Sequence, residues 1–396
     1  MRLPRSAGGK GRWEADEANK PAEVEAIEAF LFSQAEFRHN VITHHCEIRW
    51  TEEAGFLPLT DRDVNTLWGR MNKTVGRVYL TDIYNVIHSE FVPLFNPFQS
   101  YFDHLPSWDG VSDPIGDLAD TVHVKSDQAE FRDYFRKWFV GILPALLDDT
   151  VVNHEILVLI GEQGLYKTTW FNFLLPPELR FGYTDSIDFK SKQDAERSLG
   201  RFFLINIDEF DQISVNQQGF LKHLLQKPVA NLRKPYGTAI QEIRRYASFI
   251  ATSNQKDLLT DPSGSRRFIC IEVTGPIHTN VTINYRQLYA QAMDAIAKGE
   301  RYWLDDSDEA ILKQTNREFE QPTPLEQLFL CHFHPAENEE EGDWMTPMEI
   351  LSFLQTKTKD RLSINKVALF GRALHKLGIS SRRKTRGTEY HVVKKE

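Results

Sequence analysis

Apolar residues arrive along this chain in two rhythms, and the changes of rhythm divide it. Val24, Ile27, Phe30 and Leu31 recur at three- and four-residue spacing, as do the apolar positions of 64–71 and 81–91, which predicts helices with one buried face. Between them Cys46-Glu47-Ile48-Arg49-Trp50 alternates with period two, the pattern of a half-buried strand. Over 131–147 apolar and aromatic residues return every third or fourth position, predicting a buried helix. Four short, continuous apolar runs follow, at 156–160, 202–207, 247–252 and 268–273. Each is bounded by polar or turn residues and separated from the next by room for a helix, so they predict a mostly parallel sheet with helices on both faces. A helix at 285–298 closes this region. The stretch 95–110, with Pro97, Pro106 and Gly110 among its aromatic residues, is too rich in turn formers for a regular element and reads as a connector. Residues 1–20 lack periodicity and read as a flexible leader.

These changes suggest five segments: the leader 1–20, an α+β region with its connector at 21–110, an α/β domain at 111–320, a helix and acidic linker at 321–343, and a last domain at 344–396. Charge sets the last one apart. It carries twelve basic and four acidic residues, a net +8, which leaves -17 for the remainder of a chain whose total is -9. Composition is otherwise that of a globular protein, 41% hydrophobic and 26% charged over 396 residues, which excludes a largely disordered chain. No apolar run approaches the ~18 residues of a membrane span, and the basic N-terminus has no apolar centre of a signal peptide, so a cytoplasmic location is expected. Cys46, Cys270 and Cys331 are odd in number and widely spaced, and are expected as thiols. His44-His45-Cys46 and Cys331-His332-Phe333-His334 lack further ligands at a zinc spacing and are read as packing.

The chemistry begins after the first apolar run, at Gly161-Glu162-Gln163-Gly164-Leu165-Tyr166-Lys167-Thr168-Thr169. A strand, a Gly-containing loop, Lys-Thr and then a helix supply backbone N–H groups to wrap phosphates, an ammonium for the β/γ oxygens and a hydroxyl for Mg²⁺. Tyr166 departs from the pattern, since it stands where a second Gly is expected. The second run ends in Asp208-Glu209, where Asp208 can hold Mg²⁺ and Glu209 can polarise an attacking water. The third run leads to Asn254, a neutral amide suited to orienting that water or sensing the γ-phosphate. Arg266 and Arg267 precede the fourth run, and an Arg at a domain rim can stabilise phosphoryl-transfer charge. Each feature alone also fits an ordinary turn or solvated surface.

In the last segment, apolar spacing predicts a helix containing Ile350, Leu351 and Leu354, a second with Ile364, Val367, Phe370 and Leu374, and two strands around 385–388. Two helices and a β-wing suggest a winged helix. Lys366, Arg372 and Lys376 on the second helix, with Arg382, Arg383, Lys384 and Arg386 on the wing, would meet duplex DNA phosphates. A winged helix that docks on protein is the alternative.

The order of phosphate loop, Asp-Glu strand, strand ending in Asn and paired Arg resembles the virulence-associated E family of P-loop ATPases, related to superfamily 3 helicases and the D5-like group of poxviruses, phages and mobile elements. Leu105-Pro106-Ser107-Trp108-Asp109-Gly110, Leu174-Leu175-Pro176-Pro177-Glu178-Leu179-Arg180, Lys234-Pro235-Tyr236-Gly237 and Asp261-Pro262-Ser263-Gly264-Ser265-Arg266-Arg267-Phe268 add to the likeness. The resemblance implies an AAA+-like P-loop NTPase core, ATP with Mg²⁺, a homo-oligomeric ring with a hexamer as one candidate, an Arg acting in trans, and DNA as partner. It also implies that the turn at Pro235-Tyr236-Gly237 belongs to a pore hairpin, where Arg233 and Lys234 would touch single-stranded DNA phosphates and Tyr236 would stack on a base. The resulting expectation is an ATP-hydrolysing DNA motor of a phage, plasmid or mobile element, acting as a replicative helicase in a prokaryotic host. A nucleotide-controlled DNA-binding regulator or defence switch is the other reading, and Tyr166 favours it.

Overall fold

Ile27 and Leu31 lie one helical turn apart on the helix Val24–Gln34, and both are buried. In the computed structural model the described residues are 23–233, 240–260, 262–336, 338, 341–358, 367–385 and 387–395, with the backbone alone at 231–233, 240–241, 262–264, 369 and 376. The chain divides into two units, Met1–Gln255 with Arg266–Lys313, and Lys256–Ser265 with Gln314–Glu396.

The first unit opens with that helix and strands β1 (Ala35–Asn40), β2 (Cys46–Trp50), β3 (Leu57–Pro58) and β4 (Leu94–Phe95), in sheet order β3-β2-β1-β4. The helices Asp61–Thr74 and Leu80–Ile87 lie between β3 and β4, the former started by a capping box of Thr60 and Asp63. Leu31, Phe37, Ile48, Leu67 and Ile83 share a core of their own. The stretch read as a connector contains a regular element, the helix Pro97–Asp103. The reason is local. Asn96 caps it by accepting from the N–H groups of Phe98 and Gln99, and Pro97 at the first helical position loses no hydrogen bond it would otherwise make. Phe98 and Phe102 bury their rings against Phe203, in the core of the region that follows.

That region is built on β5 (Ile156–Ile160), β6 (Tyr183–Thr184), β7 (Leu204–Ile207), β8 (Val229–Arg233), β9 (Ile240–Arg244), β10 (Ser248–Ser253) and β11 (Phe268–Glu272). Five of them form a parallel sheet in the order β11-β5-β10-β7-β6, so this is a mixed α/β protein. The four predicted runs are all strands, but β7 begins at Leu204, because Phe202 still caps the helix Lys192–Arg201. Strand β6 has two residues and left no pattern to read. The helix Gln128–Leu147 is buried along most of its length, with Phe135 5.4 Å from the Trp170 ring. Tyr285–Ala297 packs beside it. Strands β8 and β9 make a separate antiparallel pair.

Arg245 follows this pair and is buried, 3% exposed. Its guanidinium donates to the carbonyls of Ala247 (2.7 Å), Leu224 (2.8 Å), Leu225 (3.0 Å), Asn153 (3.1 Å) and Lys227 (3.3 Å), tying β10 to the lead-in of β5 and to the end of the helix Val215–Gln226. Five carbonyls facing one cation offset its desolvation. Arg245→Met keeps the volume and orphans those carbonyls, and is expected to lower stability by about 3 kcal/mol or more in urea denaturation. A loss under about 1 kcal/mol would mean that water replaces the guanidinium.

The second unit holds the helices Pro324–His332, Pro347–Lys357 and Val367–Lys376 and the strands β12 (Phe333–Pro335), β13 (Asp343–Met345), β14 (Ser381–Lys384) and β15 (Gly387–Lys394). Strand β15 pairs with the other three, all antiparallel. The 321–343 segment is more than a helix and linker. Phe329 and Phe333, both fully buried, enter one core with Ile350, Leu354, Phe370 and Tyr390, and β12 takes a place in the sheet. Two β-strands stood expected near 385–388; β12 and β13 are additional. Among the described residues no helix is long and apolar enough to cross a membrane.

Candidate functional site

Strand β5 delivers the chain at the C-terminal edge of the parallel sheet, and the loop 161–166 carries it into the helix Lys167–Asn172. Gly161 is required by close approach, since a Cβ there would stand 2.9 Å from the Val273 carbonyl. Gly164 has φ +87°. Tyr166, where a Gly was expected, takes the same left-handed region at φ 63° and ψ 24°. The backbone path is therefore the one the pattern asks for, held at a cost of about 1–2 kcal/mol for an L side chain. The Tyr166 ring is about half exposed beside the pocket. Ile277 N–H donates to Leu165 O at 3.1 Å and steadies the loop from outside.

The side chain of Lys167 turns inward. Its ammonium donates to Gly161 O (2.7 Å), Glu162 O (2.8 Å) and Asn254 Oδ1 (3.2 Å). Burial pulls its pKa below that of an ordinary lysine, against the opposing charges of Asp208 and Asp211. Thr168 Oγ1 donates to Asp208 Oδ1 at 3.0 Å. Thr252, near the end of β10, also donates its hydroxyl to Asp208 Oδ1 and accepts from Glu209 N–H at 3.4 Å. Glu209 itself is left-handed, with φ 51° and ψ 52°, which turns the chain sharply after β7 and leaves its carboxylate exposed at the pocket. The pocket, of about 270 Å³, is lined by residues 163–169 with Asp208, Glu209, Thr252 and Asn254.

Of the expected site residues, Gln163, Gly164, Leu165, Tyr166, Lys167, Thr168, Thr169, Asp208, Glu209 and Asn254 thus converge, while Gly161 and Glu162 turn their carbonyls to Lys167. Two participants escaped the sequence reading. Thr252 was counted as the end of an apolar run, and Asp211 lies one turn beyond the conspicuous Asp-Glu pair. Arg266 and Arg267 do not line this pocket. Arg266 is ion-paired with Glu309 at 2.9 Å, and Arg267 sits close enough to Glu155 to lower the pKa of that carboxyl against the larger upward push of burial. The backbone of Arg233 ends β8 opposite Ile240; Lys234 and Tyr236 lie outside the described residues.

In the second unit Arg372 is exposed on the helix Val367–Lys376 and Arg383 on β14. Arg382 is engaged otherwise, over the Trp344 ring at 4.2 Å and ion-paired with Glu389 at 2.8 Å, and Lys384 reaches the same carboxylate at 3.4 Å. Lys366 and Arg386 lie outside the described residues, as does the side chain of Lys376. Arg372 and His375 border a groove of about 510 Å³ with Thr388 and Tyr390.

Fold and site together define a mixed α/β protein whose five-stranded parallel sheet gathers its polar side chains at one edge. Residues 103–321, more than half of the chain, match the virulence-associated protein E-like domain, and the chain belongs to that family. Residues 322–392 match a domain of unknown function described from B. Theta. No curated protein matches the sequence. Among solved structures, the apo structure of the NrS-1 C terminal region (305–718) is similar at 11% identity and TM-score 0.47, over 94% of this chain and 99% of that one. Its A form apo structure gives 12% identity and TM-score 0.45, over 93% and 99%.

Proposed function

We propose that this protein is an ATP-hydrolysing DNA motor serving the replication of a phage, plasmid or other mobile element, built on a P-loop core of AAA+ type. The observation that carries the reading is the convergence of Lys167, Thr168, Asp208, Glu209 and Asn254 on one pocket at the sheet edge. Lys167 and the loop N–H groups neutralise and hold the phosphates. Thr168 and Asp208 suit Mg²⁺. Their oxygens are 3.0 Å apart, a separation that matches the roughly 3.0 Å between neighbouring ligands of an octahedral ion with metal–oxygen distances of about 2.1 Å. Bound there, the ion would supply charge neutralisation at the β- and γ-oxygens. Glu209 then accepts hydrogen bonding from an attacking water and polarises it, while Asn254 orients that water or reports the γ-phosphate.

The family resemblance and the basic tail, rather than this pocket, extend the proposal to the rest of the chain. Arg266 or Arg267, outside the pocket of its own chain, completes a neighbour's site in a ring. Arg233, Lys234 and Tyr236 carry single-stranded DNA in the pore, and the second unit acts as a winged helix on duplex DNA through Arg372, Arg383 and the adjoining basic residues. The Tyr166 side chain at the pocket, where a Gly was expected, favours a second reading, a nucleotide-controlled DNA-binding switch that turns over slowly and moves nothing. A tailed duplex separates the two. Strand separation that needs hydrolysable ATP supports the motor; hydrolysis or nucleotide-dependent DNA binding with no strand separation supports the switch.

A further inference from the structure

Asp211 stands in the turn Phe210–Gln212, directly after the left-handed Glu209. Its Oδ1 accepts a hydrogen bond from the Asn254 N–H at 3.2 Å and lies 2.9 Å from the Ser253 hydroxyl, whose one proton it shares with Gln255 O at 2.7 Å, and its Oδ2 accepts from Gln212 Nε2 at 3.1 Å. Ser253 is the last residue of β10 and is 1% exposed, so this carboxylate grips the chain where it leaves the sheet. The next residue, Asn254, presents Oδ1 to Lys167 Nζ. Asp211 itself does not line the pocket that Asn254 and Lys167 share.

We infer that Asp211 is the positioning residue of this site, which fixes the backbone of Asn254 and thereby aims the Asn254 amide and the Lys167 ammonium it contacts. The role rests on the ATPase reading above. A side-chain amide at a strand end has two rotatable torsions and a backbone free to shift; an acceptor oxygen on its own N–H restricts the second freedom. Misplacement by about 1 Å near reacting atoms costs roughly 10²-fold in rate, which is the size of effect that such an anchor controls. The anchor acts through an acceptor oxygen rather than through charge. Charge alone would work in the opposite sense for binding, since a carboxylate near the phosphates repels them.

The test is steady-state ATP hydrolysis by the full chain and three variants, with nucleotide affinity measured separately. Asp211→Ala is expected to lower kcat by roughly 10²-fold with KM changed less than about threefold, while Asp211→Asn, which keeps the Oδ1 acceptor, retains kcat within about threefold and binds Mg-ATP no more weakly. Asn254→Ala should lose as much as Asp211→Ala, and the double variant little more than either, because both remove one orientation. Should Asp211→Ala fail to fold, Ser253→Ala, which deletes one donor and no charge, gives a loss of the same sign and smaller size. Unaltered kcat in Asp211→Ala, equal impairment in Asp211→Asn, or a double variant showing the product of the single losses overturns the positioning role alone. Absence of hydrolysis by the unaltered protein overturns the reading beneath it as well.

Discussion

Glu209→Gln is expected to bind Mg-ATP with near-unaltered affinity and to lose turnover by about 10³-fold or more, whereas Lys167→Ala loses the nucleotide itself. The two side chains differ in what they meet. Glu209 is exposed at the mouth of the pocket, on a left-handed residue whose N–H contacts Thr252, and its amide analogue keeps shape while losing the charge that draws a proton from water. Lys167 is buried under the loop with its ammonium on two loop carbonyls and Asn254, so its removal strips the cation and unties the loop together. Fluorescent-nucleotide titration beside a phosphate-release assay distinguishes them. Equal residual hydrolysis and equal affinity in both variants would remove the assignment of roles.

Loss of the second family-matched segment is the other large expected effect. Deleting 322–396, rather than 344–396, respects the core, because Phe329 and Phe333 pack with Ile350, Leu354 and Phe370 and would be left bare by the shorter cut. The deleted protein is expected to bind duplex DNA about 10²-fold more weakly at low salt, with a flatter dependence of log affinity on log salt, while retaining basal hydrolysis. Point changes grade the effect. Arg372→Ala and Arg383→Ala should each flatten the slope by about 0.9 if each meets one phosphate. Arg382→Ala should do less, since that guanidinium is already shared between Trp344 and Glu389. A truncated protein with unchanged duplex affinity and slope would make this segment a protein-docking module.

How much of this could be read beforehand depended on whether the signal was local. Buried parallel strands must be apolar on both faces, so 156–160 and 268–273 declared themselves as short uniform runs. The phosphate-loop pattern was legible from spacing in spite of Tyr166, because the left-handed turn is a property of the backbone path and Tyr166 pays for it. The helix Pro97–Asp103 was hidden by its own start signal, Asn96-Pro97, which serves turns and helix caps alike. Arg245 carries no local mark of burial, because the carbonyls that hold it come from distant segments. Thr252 and Asp211 could not be seen at all from spacing. The parallel pairing of Ala251 with Ile207 brings Thr252 beside Asp208, and the turn after Glu209 folds Asp211 back on Ser253, so their roles exist only once β7 and β10 are neighbours.

The central claim is that this pocket hydrolyses ATP in response to DNA, and phosphate release from the unaltered 396-residue chain tests it most directly. The account predicts Mg²⁺-dependent release from ATP that rises several-fold with single-stranded DNA and vanishes in Glu209→Gln. Release that is absent under all these conditions, or that persists in Glu209→Gln at the unaltered rate, would contradict it.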